Sequence, residues 1–296
     1  MLEQLARLEN APKLVLLSRS SQTILAAEPS YSPCIPFADW SSAAAISSLK
    51  IVDALRPEEI ASYLASAPGR AMLVDNTSNL AIAQSYPLFL KQGISIVTPN
   101  KKGFSDDLSL WNDIFASAAQ GNALIYHQAT VGGSLPILST LRDLIDTGDE
   151  VVRIEGALSG TLSLLFDTFM PAVGTSDERW SSLVAHALEI GFMEPDPRDD
   201  LNGMDFARKL TILARVVGLQ VTDPESFPVK SLIPAELASL PSSAAGIAQF
   251  MRHLPRFDGE MSKAREEAQK QCKVLRYVGS IDMSSQTIEV GLQHLD

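Results

Sequence analysis

The sequence predicts an α/β protein. A doubly wound, Rossmann-like nucleotide domain is expected over residues 1–129, followed by an α+β domain over residues 130–296. Three observations carry that prediction. Short apolar runs that end in small polar residues recur from Lys13 to His127, with helical stretches between them. After Thr130 the alternation stops, and helical patterns lead to two adjacent strand-like runs near the carboxyl end. The composition, 46% hydrophobic and 20% charged over 296 residues, supplies enough apolar mass for one large core or two ordinary ones.

Taken in order, Lys13-Leu-Val-Leu-Leu-Ser18 reads as a buried strand of a parallel sheet, because a strand covered on both faces is apolar throughout. Ala71-Met-Leu-Val-Asp75, Ile94-Ser-Ile-Val-Thr98 and Ala123-Leu-Ile-Tyr-His127 are of the same kind. Helical patterns fill the gaps at Glu58–Ala67, Leu80–Lys91 and Leu108–Ala118. Pro57 stands where a first-turn proline belongs, and Glu58 and Glu59 complement the helix dipole. The Ser-rich stretch from Ser18 to Ser48 reads as loop-heavy. In the second half the pattern predicts a helix over Pro136–Asp146, a strand over Val151–Ala157, and helices near Gly160–Phe166 and Trp180–Leu188. Leu201–Val217 follows as one long helix with Gly218 as its stop. Lys273–Gly279 and Thr287–Leu292, flanking Ser284-Ser285, form a hairpin pattern.

The formal net charge of −11 repels phosphate backbones, so nucleic acid and anionic membranes are poor general partners. No apolar run approaches the roughly 18 residues that span a bilayer. Glu3 and Glu9 disfavour a secretory or transit signal. Two cysteines, Cys34 and Cys272, make no disulfide framework, and the four histidines fall at no metal-ligand spacing. A cytoplasmic location is the resulting expectation.

Candidate chemistry begins after the first strand. Ser18-Arg19-Ser-Ser21 offers a guanidinium and hydroxyls but no carboxylate, the combination that accommodates the 2′-phosphate of NADP rather than the ribose of NAD. A solvated arginine in a polar loop is the plainer alternative. Asp75-Asn76-Thr77-Ser78-Asn79 and Thr98-Pro-Asn-Lys101-Lys102 follow two strand patterns, at the edge where open α/β sheets bind ligands. Their amides and hydroxyls can bond a nicotinamide, and a lysine can meet a carboxylate; for either motif alone, ordinary helix caps and turns are the plainer reading. The densest cluster is Glu194-Pro-Asp196-Pro-Arg-Asp199-Asp200-Leu-Asn-Gly-Met-Asp205-Phe-Ala-Arg-Lys209. Asp205 and Lys209, four apart, share a helix face. An exposed pair of this type is worth only about 0.2–0.5 kcal/mol. Five carboxylates spaced by rigid prolines suit the positioning of charges around a small zwitterion better than surface decoration.

That sixteen-residue segment resembles the signature of homoserine dehydrogenase in its fungal form. Supporting matches run in order through Asp75–Ser78, Thr98–Lys102, Tyr126-His127 with Ala129–Gly132, Leu135-Pro136, Gly156 with Ser159-Gly-Thr161, and Ser226–Val229. The resemblance implies interconversion of L-homoserine and L-aspartate 4-semialdehyde with NAD(P)(H), in threonine and methionine biosynthesis. It implies that Glu194 binds the substrate amino group, that Asp200 and Asp205 contact and orient substrate, and that Lys209 gives the proton. Lys101 is then near substrate and nicotinamide, and Thr77 touches the nicotinamide. Gly191 lets the backbone approach the cofactor closely. The resemblance further implies a sodium ion held by carbonyls of Gln128, Val131, Gly133 and Leu135, with Gln128 where the fungal form has Glu. Phe192 stands where a tyrosine is common. A homodimer built by the second half, the catalytic and dimerisation domain, follows as well. The family's first strand and glycine-rich diphosphate turn are not in this sequence, nor is its last glycine-rich segment. The resulting expectation is impaired cofactor binding, with a non-catalytic relative acting through protein association as the alternative.

Overall fold

The computed structural model describes residues 2–37 and 49–296, which divide into two compact units. Unit 1 comprises Met1–Thr98 and Asn112–His127; unit 2 comprises Pro99–Trp111 and Gln128–Asp296. Pro99–Trp111 thus joins the second unit although it lies within 1–129. The loop-heavy expectation for Ser18–Ser48 falls partly outside the described residues.

Unit 1 opens with a short helix, α1 (Leu2–Leu5), and an antiparallel sheet of β1 (Leu16–Ser18), β2 (Gln22–Leu25) and β3 (Lys50–Asp53) in that order. This corrects the expectation of a buried parallel strand over Lys13–Ser18. The polar Ser18–Gln22 stretch turns the chain straight back, and the Arg19 amide donates to the Gln22 carbonyl at 2.8 Å to close the hairpin. The apolar residues of β1 are accordingly only half-buried, whereas Thr23 on β2 is wholly so. The helix α2 (Pro57–Ala65) starts at the anticipated proline and covers this sheet through Tyr63, whose hydroxyl lies 3.0 Å from the Val15 carbonyl and 2.9 Å from that of Ala26.

The parallel sheet follows: β4 (Met72–Val74), β5 (Ser95–Val97) and β6 (Ile125–Tyr126), paired in sequence order. Among the described residues β4 lies at its edge, with Met72 and Val74 exposed. The connection from β4 to β5 holds two helices, α3 (Leu80–Gln84) and α4 (Tyr86–Lys91), where one was expected. The break at Ser85 has a local cause. Its hydroxyl donates to the Ile82 carbonyl at 2.6 Å, and Pro87, two residues on, has no amide to continue the ladder. The helix α5 (Lys102–Ser105) and the longer α6 (Leu108–Gly121) lie between β5 and β6.

Unit 2 is built on an antiparallel sheet of β7 (Arg153–Gly156), β8 (Val274–Asp282) and β9 (Thr287–Leu295) in that order, the hairpin of the sequence pattern extended at both ends. Besides α5 it holds α7 (Ile137–Asp146), α8 (Gly160–Phe169), α9 (Trp180–Glu189), α10 (Arg198–Leu201), α11 (Met204–Val216), α12 (Ala235–Ala238), α13 (Ala244–His253) and α14 (Asp258–Lys270). The expected single helix from Leu201 to Val217 is in fact α10 and α11, parted at Asn202-Gly203. Gly203 has a left-handed φ of 78°, which an L side chain adopts at a cost of roughly 1–2 kcal/mol. Gly218, with φ 94°, does end the helix as anticipated.

The core of unit 2 lies where α11 meets β8. Phe206, Leu210, Leu213 and Ala214 are 0–1% exposed, and the Phe206 ring meets that of Tyr277 edge-on at 5.0 Å. Burial of each large side chain contributes about 1.5–3 kcal/mol. The same helix explains the place of Pro99–Trp111. The buried Arg215 guanidinium donates to the carbonyls of Phe104, Asp106, Val221 and Thr222 at 2.5–3.1 Å, while Arg208 reaches the Ser105 hydroxyl and the Asp106 carboxylate. Burial lowers the Arg215 guanidinium to about 10, so it keeps its charge at neutral pH. Lys101, at the head of α5, is carried to α11 by these bonds.

Candidate active site

Three charges meet on α11. The Asp205 carboxylate receives the Lys209 ammonium at 2.5 Å through Oδ2 and the Lys101 ammonium at 3.2 Å through Oδ1. Lys209 is the better covered lysine, its side chain 15% exposed against 30% for Lys101. Burial raises the Asp205 carboxyl, but the ammonium groups of Lys209 and Lys101 outweigh it and hold the group below its ordinary range. A second acceptor fixes Lys209: its Nζ donates to the Leu158 carbonyl at 2.5 Å. That carbonyl belongs to the turn between β7 and α8, where Ser159 caps α8 by accepting the Leu162 amide.

Just past that turn, in the first turn of α8, is Thr161, whose hydroxyl donates to the Phe192 carbonyl at 3.2 Å. Asp200 accepts the Glu194 amide at 2.8 Å. Its carboxyl is raised by burial, against the lowering effect of the Glu194 amide. Leu158–Thr161 therefore ties Lys209 to the Phe192–Asp200 segment. Sequence reasoning missed Leu158 and Thr161 as site residues. The Ser159-Gly-Thr161 motif was their signal, and a carbonyl leaves no trace in residue identity. Glu194 is exposed, and Gly191, three residues before it, has φ 70° and open space where a side chain would stand.

Not every member of the acidic cluster serves this centre. Asp196 is locked to the buried Arg198 at 2.6 Å, and Arg198 also donates to the Leu240 and Pro241 carbonyls. This pair anchors the Pro-rich segment to the rest of unit 2.

In unit 1, Asn76, Thr77 and Ser78 are exposed at the carboxyl end of β4, above a buried Asp75 whose Oδ1 accepts the Thr77 amide at 2.8 Å. Asn79 is a helix cap, accepting the Ala81 and Ile82 amides. The donor set of Asn76–Ser78, amide and hydroxyls on a fixed backbone, fits a planar carboxamide such as that of nicotinamide. Arg19 is exposed on the β1–β2 hairpin turn, not at the end of a parallel strand as anticipated.

The loop expected to hold sodium does not fit that ion. The Leu135 carbonyl accepts the Gln128 side-chain amide at 3.0 Å and the Ile137 amide at 2.8 Å, so both of its lone pairs are taken. The other end of the Gln128 side chain accepts the Ser139 amide at 2.9 Å. Val131 is buried and Gly133 exposed in the same loop, but the set of four carbonyls is broken at Leu135. Gln128 supplies with an N–H what a cation would supply with charge. Replacing sodium by potassium at constant ionic strength should therefore leave the melting temperature unchanged, whereas a sodium-specific rise would show that the carbonyls do gather an ion.

Comparisons with known proteins show the family. The homoserine dehydrogenase family model matches residues 136–296, and the homoserine dehydrogenase NAD-binding domain matches residues 42–128. The chain belongs to the homoserine dehydrogenase family. It is 64% identical over 295 residues to the homoserine dehydrogenase of Emericella nidulans, covering all of this chain and 80% of that relative. It is 42% identical over 283 residues to that of Saccharomyces cerevisiae, covering 96% and 76% of the two chains. A crystal structure of a protein of unknown function from Candida auris superposes with a TM-score of 0.90 at 45% identity, over 100% of this chain and 80% of the other. A hyperthermophilic archaeal homoserine dehydrogenase solved with NADPH shares the fold, at a TM-score of 0.62 and 18% identity, over 95% and 72%. This homoserine dehydrogenase is an oxidoreductase with an NAD-binding and a catalytic domain, and the likeness does not favour the non-catalytic alternative. No described helix is long and apolar enough to cross a membrane.

The depressed Asp205 carboxyl has a consequence for pH. A group whose folded value is lowered contributes stability that is complete above its unfolded value, about 3.9, and is lost as pH falls through the lower folded value. The denaturant midpoint difference between the wild type and Asp205→Asn should stay constant from neutral pH to about pH 4 and close only below it.

Proposed function

We propose that this homoserine dehydrogenase interconverts L-homoserine and L-aspartate 4-semialdehyde, with Lys209 as proton donor and acceptor at the substrate oxygen. The observation that supports it most is Lys209 itself, a covered ammonium held at 2.5 Å by both Asp205 and the Leu158 carbonyl. In the reductive direction the aldehyde oxygen gains negative charge as its carbon is reduced. A positioned ammonium stabilises that charge and protonates it. In the oxidative direction the same nitrogen, once deprotonated, receives the hydroxyl proton. Lys101 and Asp205 keep the Lys209 nitrogen aligned, since the carboxylate between two cations has one favourable geometry. Glu194 receives the substrate ammonium, and Asp200 contributes by holding the Glu194 backbone.

NADP supplies the hydride chemistry when bound. Asn76, Thr77 and Ser78 would hold its carboxamide, and the backbone at Gly191 would lie against it. Lys101 would serve both cofactor and substrate. No step passes through a sodium ion. The chain works as a homodimer in the cytoplasm, without nucleic acid or membrane. Reduction of NADP with L-homoserine, set beside 4-hydroxybutyrate and NAD, tests the reading. It predicts turnover with homoserine, loss of turnover without the amino group, and preference for NADP; equal rates with both alcohols would contradict the role of Glu194.

A further inference from the structure

Below the exposed Asn76–Ser78 loop is a closed ring of buried hydrogen bonds that the reaction does not use. The Tyr86 hydroxyl, on a residue 0% exposed, donates to Asp75 Oδ2 at 2.5 Å and lies 3.1 Å from the Thr98 hydroxyl oxygen. The Thr98 hydroxyl donates to the Asp75 carbonyl at 2.8 Å. The other oxygen of the Asp75 carboxylate, Oδ1, accepts the Thr77 amide at 2.8 Å. Two sequence-distant residues thus meet on Asp75, after β4: Tyr86, at the start of α4, at its carboxylate, and Thr98, after β5, at its main-chain carbonyl.

A buried carboxylate with too few donors is costly, so this one must be met from all sides. Here the tyrosine is the donor that comes from outside the two strand ends. It sets the carboxylate plane, and the carboxylate sets the Thr77 amide. At the far end of the loop the Asn79 amide donates to the Thr77 hydroxyl oxygen at 3.1 Å.

We propose that Tyr86 is a positioning residue for the cofactor: through Asp75 it holds Asn76–Ser78 in the one shape that receives the nicotinamide carboxamide. The inference rests on the reading of that loop as a cofactor contact. Without the phenol hydroxyl the loop samples other shapes, and apparent affinity falls with the competent fraction.

The test uses the full chain and three variants, Tyr86→Phe, Thr98→Val and Thr98→Ser, with NADPH binding followed by its fluorescence. Tyr86→Phe and Thr98→Val should raise the NADPH Kd and the KM for NADP about tenfold. The KM for homoserine at saturating cofactor should stay unchanged, and exchange of the Thr77 amide should speed up. Thr98→Ser, which keeps the hydroxyl, should resemble the wild type and shows the effect with little change in packing. An unchanged NADPH Kd in folded Tyr86→Phe, or an equal rise in the homoserine KM, overturns the inference alone. A wild-type chain that does not bind NADPH overturns the loop reading and the inference together.

Discussion

Replacing Lys209 with alanine is expected to lower the rate of homoserine-dependent NADP reduction by about 10²- to 10⁴-fold, the range for loss of a positioned general acid or base. The change should fall on kcat, because no other described ammonium shares both the Asp205 and Leu158 contacts. Lys101 reaches the same carboxylate on its other oxygen but has no bond to the Leu158 carbonyl. NADPH binding should be little affected, since the cofactor loop belongs to Asn76–Ser78. Denaturant midpoints should shift modestly, because the variant releases one carboxylate and one carbonyl at a partly exposed position. Kinetic and binding measurements on the same preparation separate these outcomes. A variant that retains near wild-type kcat would move the proton transfer away from Lys209.

The second large effect is expected at Gly203. A Cβ there would stand 2.2 Å from the Tyr277 hydroxyl and 2.7 Å from Val229 Cγ1. That hydroxyl is not free to retreat, for it donates to the Lys230 carbonyl at 2.8 Å, and the Tyr277 ring is packed against Phe206. Gly203→Ala therefore combines a left-handed backbone, about 1–2 kcal/mol, with overpacking of about 1–3 kcal/mol. The sum is about 2–5 kcal/mol, a large part of a typical total stability. Gly203 begins α11, so any adjustment also moves Asp205 and Lys209 relative to Leu158. Equilibrium denaturation should show the loss of stability, and the surviving folded fraction should turn over more slowly. A midpoint like that of the wild type would mean that the turn between α10 and α11 yields easily.

Much of this was legible in the sequence, for reasons that differ by element. The strands at Met72–Val74 and Ser95–Val97 announced themselves because an apolar run closed by Asp75 or Thr98 has few alternatives in a parallel sheet. Asp205 and Lys209 were legible because helical spacing fixes their relation before any tertiary contact forms. The join of Lys101 to them was not, since it depends on Arg208 and Arg215 drawing Pro99–Trp111 onto α11 from over a hundred residues away. The hairpin at Arg19 was misread because apolarity marks a strand but not the direction of its partner. Gly203 lay hidden within a helical pattern, where periodicity continues across a break that only φ reveals. The ring of Tyr86, Asp75 and Thr98 shows the same limit: each residue is ordinary in its own segment, and the chemistry exists only where the segments meet.

In the proposed reaction NADP would take the hydride from the hydroxymethyl carbon of L-homoserine while Lys209 takes the hydroxyl proton. The most direct measurement of it is transfer of label from L-homoserine deuterated at that carbon to the nicotinamide ring, in the wild type and in Lys209→Ala. Deuterium is expected in the reduced cofactor, with semialdehyde formed in equal amount by the wild type and both nearly abolished in the variant. Reduced cofactor without deuterium, or label transfer that survives in Lys209→Ala, would contradict the proposed reaction.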